Sequence, residues 1–388
     1  MKKIIDRLRL QWLMATKTMG YSADATERMY RIYLNHGKVI HYRKGRPVYS
    51  LSSPALFTGP SANFFARQLY KSIHGKNTPN LLSFAVTSEC NAACGHCSFY
   101  KDEKKDGRPP VTLEQAVYLI RSAQELGVSV INFTGGEPLL RGDLPEIIKS
   151  VDKELSTTAM FTNGWYLKER CAELKAAGLD SLYVSVDSAD PKTHDKLRGV
   201  EGLFARAAEG IGSALSAGFS VGISCCVSPE SFRDGELDRV IELAKKLGVH
   251  EVIVYDAAPT GRYAGREDLQ GNTAWLEELI ASVGKYNEDS SYPGVLVYAY
   301  TTSHRSVGCS SGVNYFYLSP WGDVCPCDFN HMCFGNALQE PLYRIWDRMT
   351  SLPDFSCAKW GYCRMKDPAF KDCKTISREF KNYDRILP

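Results

Sequence analysis

Short apolar runs rich in β-branched residues alternate with longer amphipathic stretches through the middle of the chain. The apolar runs predict six strands, at residues 82–87, 128–134, 157–162, 181–186, 219–227 and 252–256. The amphipathic stretches predict helices near residues 112–126, 143–154, 167–177, 202–217 and 235–247. Strands that alternate with crossover helices form a parallel sheet whose functional side is the carboxyl end of the strands. We therefore predict an α/β fold built on a partial (β/α)6 TIM-like barrel.

The first 80 residues precede this pattern and form a basic extension. They contain predicted helices at 23–35 and 61–73, the second with Ser61 as its N-cap, and a hairpin around Lys44-Gly45-Arg46. Fourteen Lys and Arg residues against three acids give this segment a charge of +11, whereas the whole chain carries +3. Such a charge indicates either an anionic partner, as a substrate or a membrane surface, or a solvated basic face, and both stay open.

Cysteines crowd the end of the chain, where regular structure is sparse apart from a predicted helix near 341–350. Seven of the thirteen cysteines lie between Cys309 and Cys373. No apolar run is long enough to span a membrane, and the first residues do not read as an export signal. We therefore expect reduced, metal-binding cysteines in an oxygen-sensitive cytoplasmic protein, with peripheral membrane contact left open. The predicted units are a basic extension at 1–80, a barrel at 81–300 and a small metal-held module at 301–388.

The strongest chemical signal is a CxxxCxxC element that directly follows the first predicted strand. Its thiols belong to Cys90, Cys94 and Cys97. Three thiolates on one loop hold three irons of a [4Fe–4S] cluster and leave the fourth iron open for another ligand. Structural zinc normally takes four protein ligands, and His96 is awkwardly placed between two cysteines to be the fourth. The element therefore favours an iron–sulfur cluster.

This element resembles the motif of the radical S-adenosylmethionine (SAM) superfamily, in which an aromatic residue often lies beside the last cysteine, as Phe99 and Tyr100 do here. The resemblance implies that the open iron chelates the amino and carboxylate groups of SAM. It further implies reductive cleavage of SAM to methionine and a 5′-deoxyadenosyl radical, which abstracts a hydrogen atom. A flavodoxin, ferredoxin or reductase would donate the electron, and no nucleic-acid partner is expected.

Further elements resemble the superfamily in order and position, each at the end of a predicted strand. Gly135-Gly136-Glu137-Pro138 matches the GGEP motif that contacts the SAM amino group in the family. Arg198 is a plausible partner for the SAM carboxylate, and residues 259–262 resemble an adenine-side loop. The cofactor-binding residues implied by the resemblance are Gly135, Gly136, Glu137, Asn163, Ser185, Asp187 and Arg198.

The C-terminal module resembles the SPASM/Twitch extension, which carries auxiliary [4Fe–4S] clusters. The spacing of Cys309, Gly322 and Cys327 matches its start. The implied ligands are Cys309, Cys327, Cys357 and Cys363, with Cys373 as a replacement or as part of a second site. Asp354 and Asp367 stand where the full pattern has cysteines, so we expect one auxiliary cluster and leave a second open. A zinc knuckle is the alternative, and Cys325 and Cys333 are spare.

Other candidates depend on strand alternation and composition. Cys225 and Cys226 are adjacent in the fifth strand, so one should point into the barrel, as a hydrogen-atom donor or simply as core. Tyr255 and Asp256 end the sixth strand and are expected to face substrate. Apolar residues of the basic extension are predicted to line an apolar, basic entrance for the substrate, namely Phe57, Phe64, Phe65 and Leu69.

Three functions follow from these observations. The first is a radical SAM enzyme that acts on a small or medium anionic metabolite, lipid-, porphyrin- or sugar-like. The second is a peptide-modifying SPASM maturase, although the first 80 residues do not show the order of a leader-binding winged helix. The third is a non-catalytic iron–sulfur or zinc protein, against which the intact motifs argue.

Overall fold

The computed structural model describes residues 36–99, 107–303, 305–306, 308–356, 361–368 and 370. Within these residues the central sheet has nine strands, in the order β11-β10-β3-β4-β5-β6-β7-β8-β9, and a hairpin forms β1 and β2. The strands are His41–Arg43, Arg46–Val48, Leu81–Ala85, Val130–Thr134, Thr157–Thr162, Ser181–Ser185, Ser220–Val227, Glu251–Asp256, Gly294–Val297, Tyr315–Leu318 and Val324–Cys325, numbered β1 to β11. All neighbours from β10 to β9 are parallel, and β11 is antiparallel to β10.

Helices cover the outer side of this sheet. Those in the described residues, numbered α1 to α13, are Gly59–His74, Leu113–Leu126, Leu144–Lys149, Leu167–Ala176, Pro191–Arg198, Leu203–Ser216, Pro229–Arg233, Glu236–Leu247, Ala274–Ser282, Gly284–Glu288, Tyr298–Thr302, Leu342–Ser351 and Pro353–Ser356. Their apolar faces pack on the strands in one large core that includes Phe84, Phe133 and Ile241. No helix in this part of the chain is long and apolar enough to cross a membrane.

The six predicted strands and the helices between them are confirmed, and the sheet extends further on both sides. A seventh barrel strand, β9, pairs with β8, and β10 of the cysteine-rich module pairs with β3. Helix α5 was not predicted, because only His194 of its eight residues is buried and no apolar period marks it. Helix α1 begins after Thr58 rather than Ser61: Thr58 is the N-cap, and Ser61 completes its capping box. The predicted helix at 23–35 lies outside the described residues.

The predicted hairpin is confirmed, and it closes the amino-terminal end of the barrel. Lys44 and Gly45 form its turn with left-handed backbone, at φ 47° and 75°. The Arg43 guanidinium donates hydrogen bonds to the hydroxyls of Thr157, Ser181 and Ser220, each the first residue of its strand. Part of the basic charge of the extension therefore stabilises the fold and is not available to an anionic partner.

A buried carboxylate ties the same segment to the barrel floor. Glu251, the first residue of β8, lies 2.6 Å from His36 Nε2 and accepts hydrogen bonds from the Leu51 amide at 2.8 Å and the Tyr183 hydroxyl at 2.5 Å. Burial alone would raise the pKa of Glu251, but these hydrogen bonds and His36 outweigh it and lower that pKa. Lys38, also buried, donates to three carbonyl groups of residues 286–292. These contacts join the segment before the barrel to the amino-terminal end of β8.

We predict that Glu251→Ala lowers the free energy of unfolding by about 3–5 kcal/mol, because it leaves the buried His36 and Tyr183 without their common partner. Urea denaturation of the anaerobic protein measures this change. Glu201→Ala, at an exposed glutamate, is the matched control and is expected to change it by less than about 0.5 kcal/mol. An equal effect of the two substitutions would contradict the role given to Glu251.

Candidate active site

A cavity of about 400 Å³ occupies the barrel interior and opens among the carboxyl ends of the strands. The loop that bears Cys90, Cys94 and Cys97 forms one side of it. Residues 310, 314, 315, 328 and 329 of the cysteine-rich module form another side. The cavity thus lies between the cysteine loop and the cysteine-rich module, which the sequence separates by about 200 residues, and its size is typical of small-molecule sites.

The cysteine loop is held from one side by the backbone of the glycine motif. The Gly136 amide donates to the Thr87 carbonyl at 2.8 Å, and the Glu137 amide donates to the Glu89 carbonyl at 2.7 Å. A Cβ atom on Gly136 would lie 2.0 Å from the Glu89 carbonyl oxygen, so no larger residue fits. The two glycines therefore let one loop pack on the backbone that leads into the cysteines.

The loop is held from the other side by α5 and by residues 261–262. The amides of Ala93 and Gly95 donate to the carbonyls of Arg198 and Leu197 at 2.9 and 3.0 Å. The Arg262 amide donates to the Cys97 carbonyl at 3.0 Å, and its guanidinium donates to the Ala93 carbonyl. The last turn of α5, the helix that the sequence did not predict, therefore positions the residues on either side of Cys94.

Glu137 is buried and fully engaged with its surroundings. Its carboxylate accepts hydrogen bonds from the Thr162 hydroxyl at 2.6 Å and from the amides of Asn163 and Leu139 at 2.7 and 3.1 Å. Burial raises the pKa of Glu137 despite these bonds. The Asn163 side chain continues the network by donating to Asn91 of the cysteine loop at 2.8 Å. In this structure Glu137 organises the loop; its contact with a SAM amino group stays a prediction.

A buried ion pair lies beneath the cysteines. Arg198 Nε is 2.6 Å from Asp187 Oδ2, and Arg198 Nη1 donates to Cys94 Sγ at 3.7 Å. Asp187 also accepts from the Cys226 amide at 2.9 Å and lies 3.4 Å from His96 Nε2. Burial alone would raise the pKa of Asp187, but Arg198 and His96 outweigh it and lower that pKa to about 2. Asp187 therefore stays ionised and orients Arg198 toward the cysteine loop.

The donor set fits an iron–sulfur cluster. Cys90, Cys94 and Cys97 are half-buried on a loop of close backbone contacts, and burial raises the pKa of Cys90 to about 11. A bound metal deprotonates such thiols outright, and thiolates are the usual ligands of [4Fe–4S] clusters. In the described residues no three His, Cys, Asp or Glu side chains are already gathered as ligands of a single metal ion. The fit therefore rests on donor chemistry and on the way the loop is held.

Comparison with known proteins agrees with this arrangement. Residues 84–244 match the radical SAM superfamily, and residues 309–375 match the SPASM iron–sulfur cluster-binding domain. The chain belongs to the radical SAM superfamily and ends in a SPASM domain. It is an enzyme that uses a [4Fe–4S] cluster and SAM, together with auxiliary iron–sulfur binding in the SPASM domain.

Curated relatives of this radical SAM chain include enzymes with two different products. An AdoMet-dependent heme synthase of Methanosarcina barkeri is 28% identical over 75% of this chain and 90% of its own length. A probable GTP 3′,8-cyclase of Thermococcus kodakarensis is 34% identical over 46% of this chain and 57% of its own length. The alignment with the first enzyme covers three quarters of this chain, whereas that with the second covers less than half of it.

Solved structures show the same fold at low sequence identity. The Streptococcus suis SuiB structure bound to precursor peptide SuiA superposes with a TM-score of 0.59 at 16% identity, covering 72% of this chain and 67% of that one. Native anSMEcpe with bound AdoMet and the Cp18Cys peptide gives a TM-score of 0.55 at 16% identity, covering 79% and 98%. These likenesses support the partial barrel with an appended SPASM domain.

The predicted SAM-site residues gather around the cavity. Its walls include Gly135, Gly136, Glu137, Asn163, Ser185 and Arg198. Asp187 lies behind this wall and forms an ion pair with Arg198, which is part of the wall. Their roles toward SAM stay predictions. His194 of α5 accepts a hydrogen bond from the Asp187 amide at 3.2 Å, a contact that sequence spacing alone could not show.

The described auxiliary cysteines also lie together. Cys309, Cys327 and Cys363 are buried and interact electrostatically with one another. Asp354, which stands where the full SPASM pattern has a cysteine, is instead bound to Arg364 at 2.9 Å. Cys357 and Cys373 lie outside the described residues, so the ligand set stays a prediction. Of the two cysteines predicted to be spare, Cys325 is buried and Cys333 is exposed.

The two cysteines of the fifth barrel strand diverge as alternation predicts. Cys226 lines the cavity, whereas Cys225 packs in the core between sheet and helices. Burial raises the pKa of Cys226 to about 12, so it stays a thiol that carries a hydrogen atom. A hydrogen-donor role at Cys226 stays a prediction, and core packing is the role that the structure gives Cys225.

Aromatic rings form much of the remaining cavity wall. The predicted residues Tyr255 and Asp256 line it, and so does Tyr298. Phe161 and Phe329 also line it and were missed by the sequence analysis, although alternation along the third barrel strand points Phe161 inward. Of the predicted entry residues only Phe64 lines the cavity in the described part; Phe57 and Phe65 do not, and the Leu69 side chain lies outside that part.

We predict that Gly136→Ala prevents correct assembly of the cysteine loop, because its methyl group collides with the Glu89 carbonyl. The reconstituted variant is expected to lose about four irons per chain and to form no 5′-deoxyadenosine. Gly142→Ala is the matched control, since a Cβ atom there meets no atom within 4 Å. Iron and sulfide analysis of both variants makes the test, and wild-type iron in Gly136→Ala would refute this account of the loop.

Proposed function

We propose that this radical SAM enzyme abstracts a hydrogen atom from a small or medium metabolite with a planar, porphyrin-like face. The observation that carries the proposal is the cavity bounded by the cysteine loop, by aromatic side chains and by residues of the SPASM domain. A substrate in this cavity contacts the SAM site at one side and, at the other, Ser310 and Asp328, which directly follow Cys309 and Cys327 in the chain. One enclosure for both is what controlled radical chemistry requires.

The residues of the chain divide the work in the proposed reaction. When bound, the [4Fe–4S] cluster supplies the electron that splits SAM into methionine and a 5′-deoxyadenosyl radical. Arg198, held by Asp187, presents a guanidinium to the SAM carboxylate beside Cys94. Glu137 holds the end of the third barrel strand against the cysteine loop. Cys226 keeps a thiol hydrogen at the cavity wall.

The substrate class is supported by the aromatic wall and by the relatives. The cavity is lined by Phe161, Tyr255, Tyr298 and Phe329, whose neighbouring rings are inclined to one another by 42° to 78°. Aromatic rings offer a large apolar contact area to a macrocycle. The heme synthase of Methanosarcina barkeri, whose name states a porphyrin product, is similar to this chain along 90% of its own length.

The expected negative charge of the substrate rests on the basic extension. Residues 1–35 of that extension lie outside the described part, and Lys38 and Arg43 serve the barrel floor. The anionic character, the electron donor and any contact with an anionic membrane surface therefore stay predictions. The peptide-maturase alternative is supported only by structures that are similar in fold. The non-catalytic alternative is wrong, because the family and the similar relatives are enzymes.

We predict that the anaerobic, reconstituted enzyme makes 5′-deoxyadenosine from SAM and dithionite, and that a porphyrin with free propionate side chains accelerates this. If the substrate is deuterated at the reacting position, mass spectrometry should find deuterium in 5′-deoxyadenosine. Cys90/Cys94/Cys97→Ala is the control: iron should fall from about eight to about four per chain, and the product should disappear. Product formation by that variant would refute the radical SAM site, whereas acceleration by a peptide but no porphyrin would refute the substrate class.

A further inference from the structure

The cysteine loop has a further support where the chain leaves it, and this support comes from the SPASM domain. Phe99 lies two residues after Cys97 and forms part of the cavity wall. Its ring lies 5.7 Å from the ring of Tyr317 in β10, at an interplanar angle of 50°. Phe99 packs in a small apolar cluster with Tyr317, Ala85 and Cys325. The exit of the loop therefore packs against β10 and β11.

Phe99 is coupled to the ligand candidate Cys97 through its backbone as well. The Phe99 amide interacts with the Cys97 thiol, while the Cys97 carbonyl accepts the hydrogen bond from the Arg262 amide. Groups in contact with a metal ligand orient that ligand. A displacement of Phe99 would therefore disturb Cys97 and the cavity wall together.

A second contact joins the SPASM domain to the chain between the cysteine loop and α2. The Arg108 guanidinium donates to both oxygens of the Asp323 carboxylate, at 3.1 and 2.6 Å, and lies 5.5 Å over the Trp321 ring. The Arg108 carbonyl accepts a hydrogen bond from Trp321 Nε1, and the Val111 amide donates to the Pro320 carbonyl, both at 2.8 Å. A doubly bonded arginine–carboxylate pair fixes direction as well as distance. This part of the chain is therefore clamped on the turn between β10 and β11.

The turn that receives the clamp is itself held in place. The Asn336 side chain donates to the Asp323 carboxylate at 2.8 Å, and the Ser319 amide donates to the Asp323 carbonyl at 2.9 Å. Tyr317 lies opposite Ser83 in the parallel pairing of β10 with β3, and β3 is the strand that leads into the cysteine loop. The SPASM domain thus contacts both the strand before the loop and the chain after it.

We propose that Tyr317 and the turn around Asp323 are positioning elements of the radical SAM site, which hold the exit of the cysteine loop so that Cys97 and Phe99 keep their places. This role of the SPASM domain is separate from auxiliary iron–sulfur binding and goes beyond the proposed function, because it concerns the SAM site whatever the substrate. If the loop adopts its binding-competent arrangement for only a fraction of the time, the apparent dissociation constant for SAM rises by the reciprocal of that fraction. Release of the loop exit should therefore weaken SAM binding.

Substitutions at Tyr317 test the ring contact by calorimetry of SAM binding to the anaerobic, reconstituted protein. Tyr317→Ala is expected to raise the dissociation constant at least about tenfold, and Tyr317→Phe, which keeps the ring, to stay within about twofold of wild type. Phe316→Ala is the matched control, since Phe316 is equally buried in β10 but packs on Trp346, and it should leave the affinity unchanged. Iron should stay at about eight per chain in all three variants.

Arg108→Ala tests the clamp at a half-exposed side chain, where the substitution leaves the core intact. We expect the dissociation constant for SAM to rise about threefold. Arg206→Ala is the matched control, because Arg206 makes the same two kinds of contact, with Glu169 at 2.6 Å and over the Trp165 ring at 5.6 Å. It should bind SAM as wild type does.

Several results would overturn the proposal. These are wild-type affinity in Tyr317→Ala, an equal loss of affinity in Phe316→Ala, and a Tyr317→Phe variant as weak as Tyr317→Ala. If Tyr317→Ala does not fold, the Arg108→Ala and Arg206→Ala pair decides, and equal affinity of the two overturns the proposal. Porphyrin takes no part in these measurements, so this inference and the proposed function can fail independently.

Discussion

The active site depends on one backbone contact, the packing of residues 135–137 against residues 87–89. A loop with three cysteines has too many conformations to present its thiols together unless something else restrains it. Here the Gly136 and Glu137 amides restrain its entrance, and α5 and Arg262 restrain its middle and end. The contact is close enough that only glycine fits at residue 136. The position of the thiols is therefore set by strand ends of the barrel.

The two ends of the barrel differ in structure: one is closed by buried hydrogen bonds, and the other contains the cavity. At the amino-terminal end, the hairpin and the Glu251 network fill the interior with buried hydrogen bonds. Toward the carboxyl end, the strands and loops surround a cavity lined by the cysteine loop and by aromatic rings. The SPASM domain belongs to this second end structurally, since β10 continues the barrel sheet beside β3. Its residues Asp328 and Phe329 thereby become part of the cavity wall.

Local patterns were sufficient for much of this architecture. Strand alternation and helix periodicity predicted six barrel strands and the helices between them, and alternation separated Cys226 from Cys225 correctly. What the sequence could not show are pairings made at long range. Helix α5 has no apolar period, and the sheet edge that receives β10 has no sequence signal. Likewise, the positive charges of Lys38 and Arg43 suggested an anionic partner, but both side chains form hydrogen bonds within the barrel floor.

The central claim is that Cys90, Cys94 and Cys97 hold a cluster with one iron open to SAM. Electron paramagnetic resonance of the dithionite-reduced Cys309/Cys327/Cys363→Ala variant tests it most directly, because the auxiliary signal is then removed. The account predicts a [4Fe–4S] spectrum whose g values shift when SAM is added, since SAM becomes a ligand of the open iron. A spectrum that SAM leaves unchanged, or the absence of any cluster signal, would contradict it.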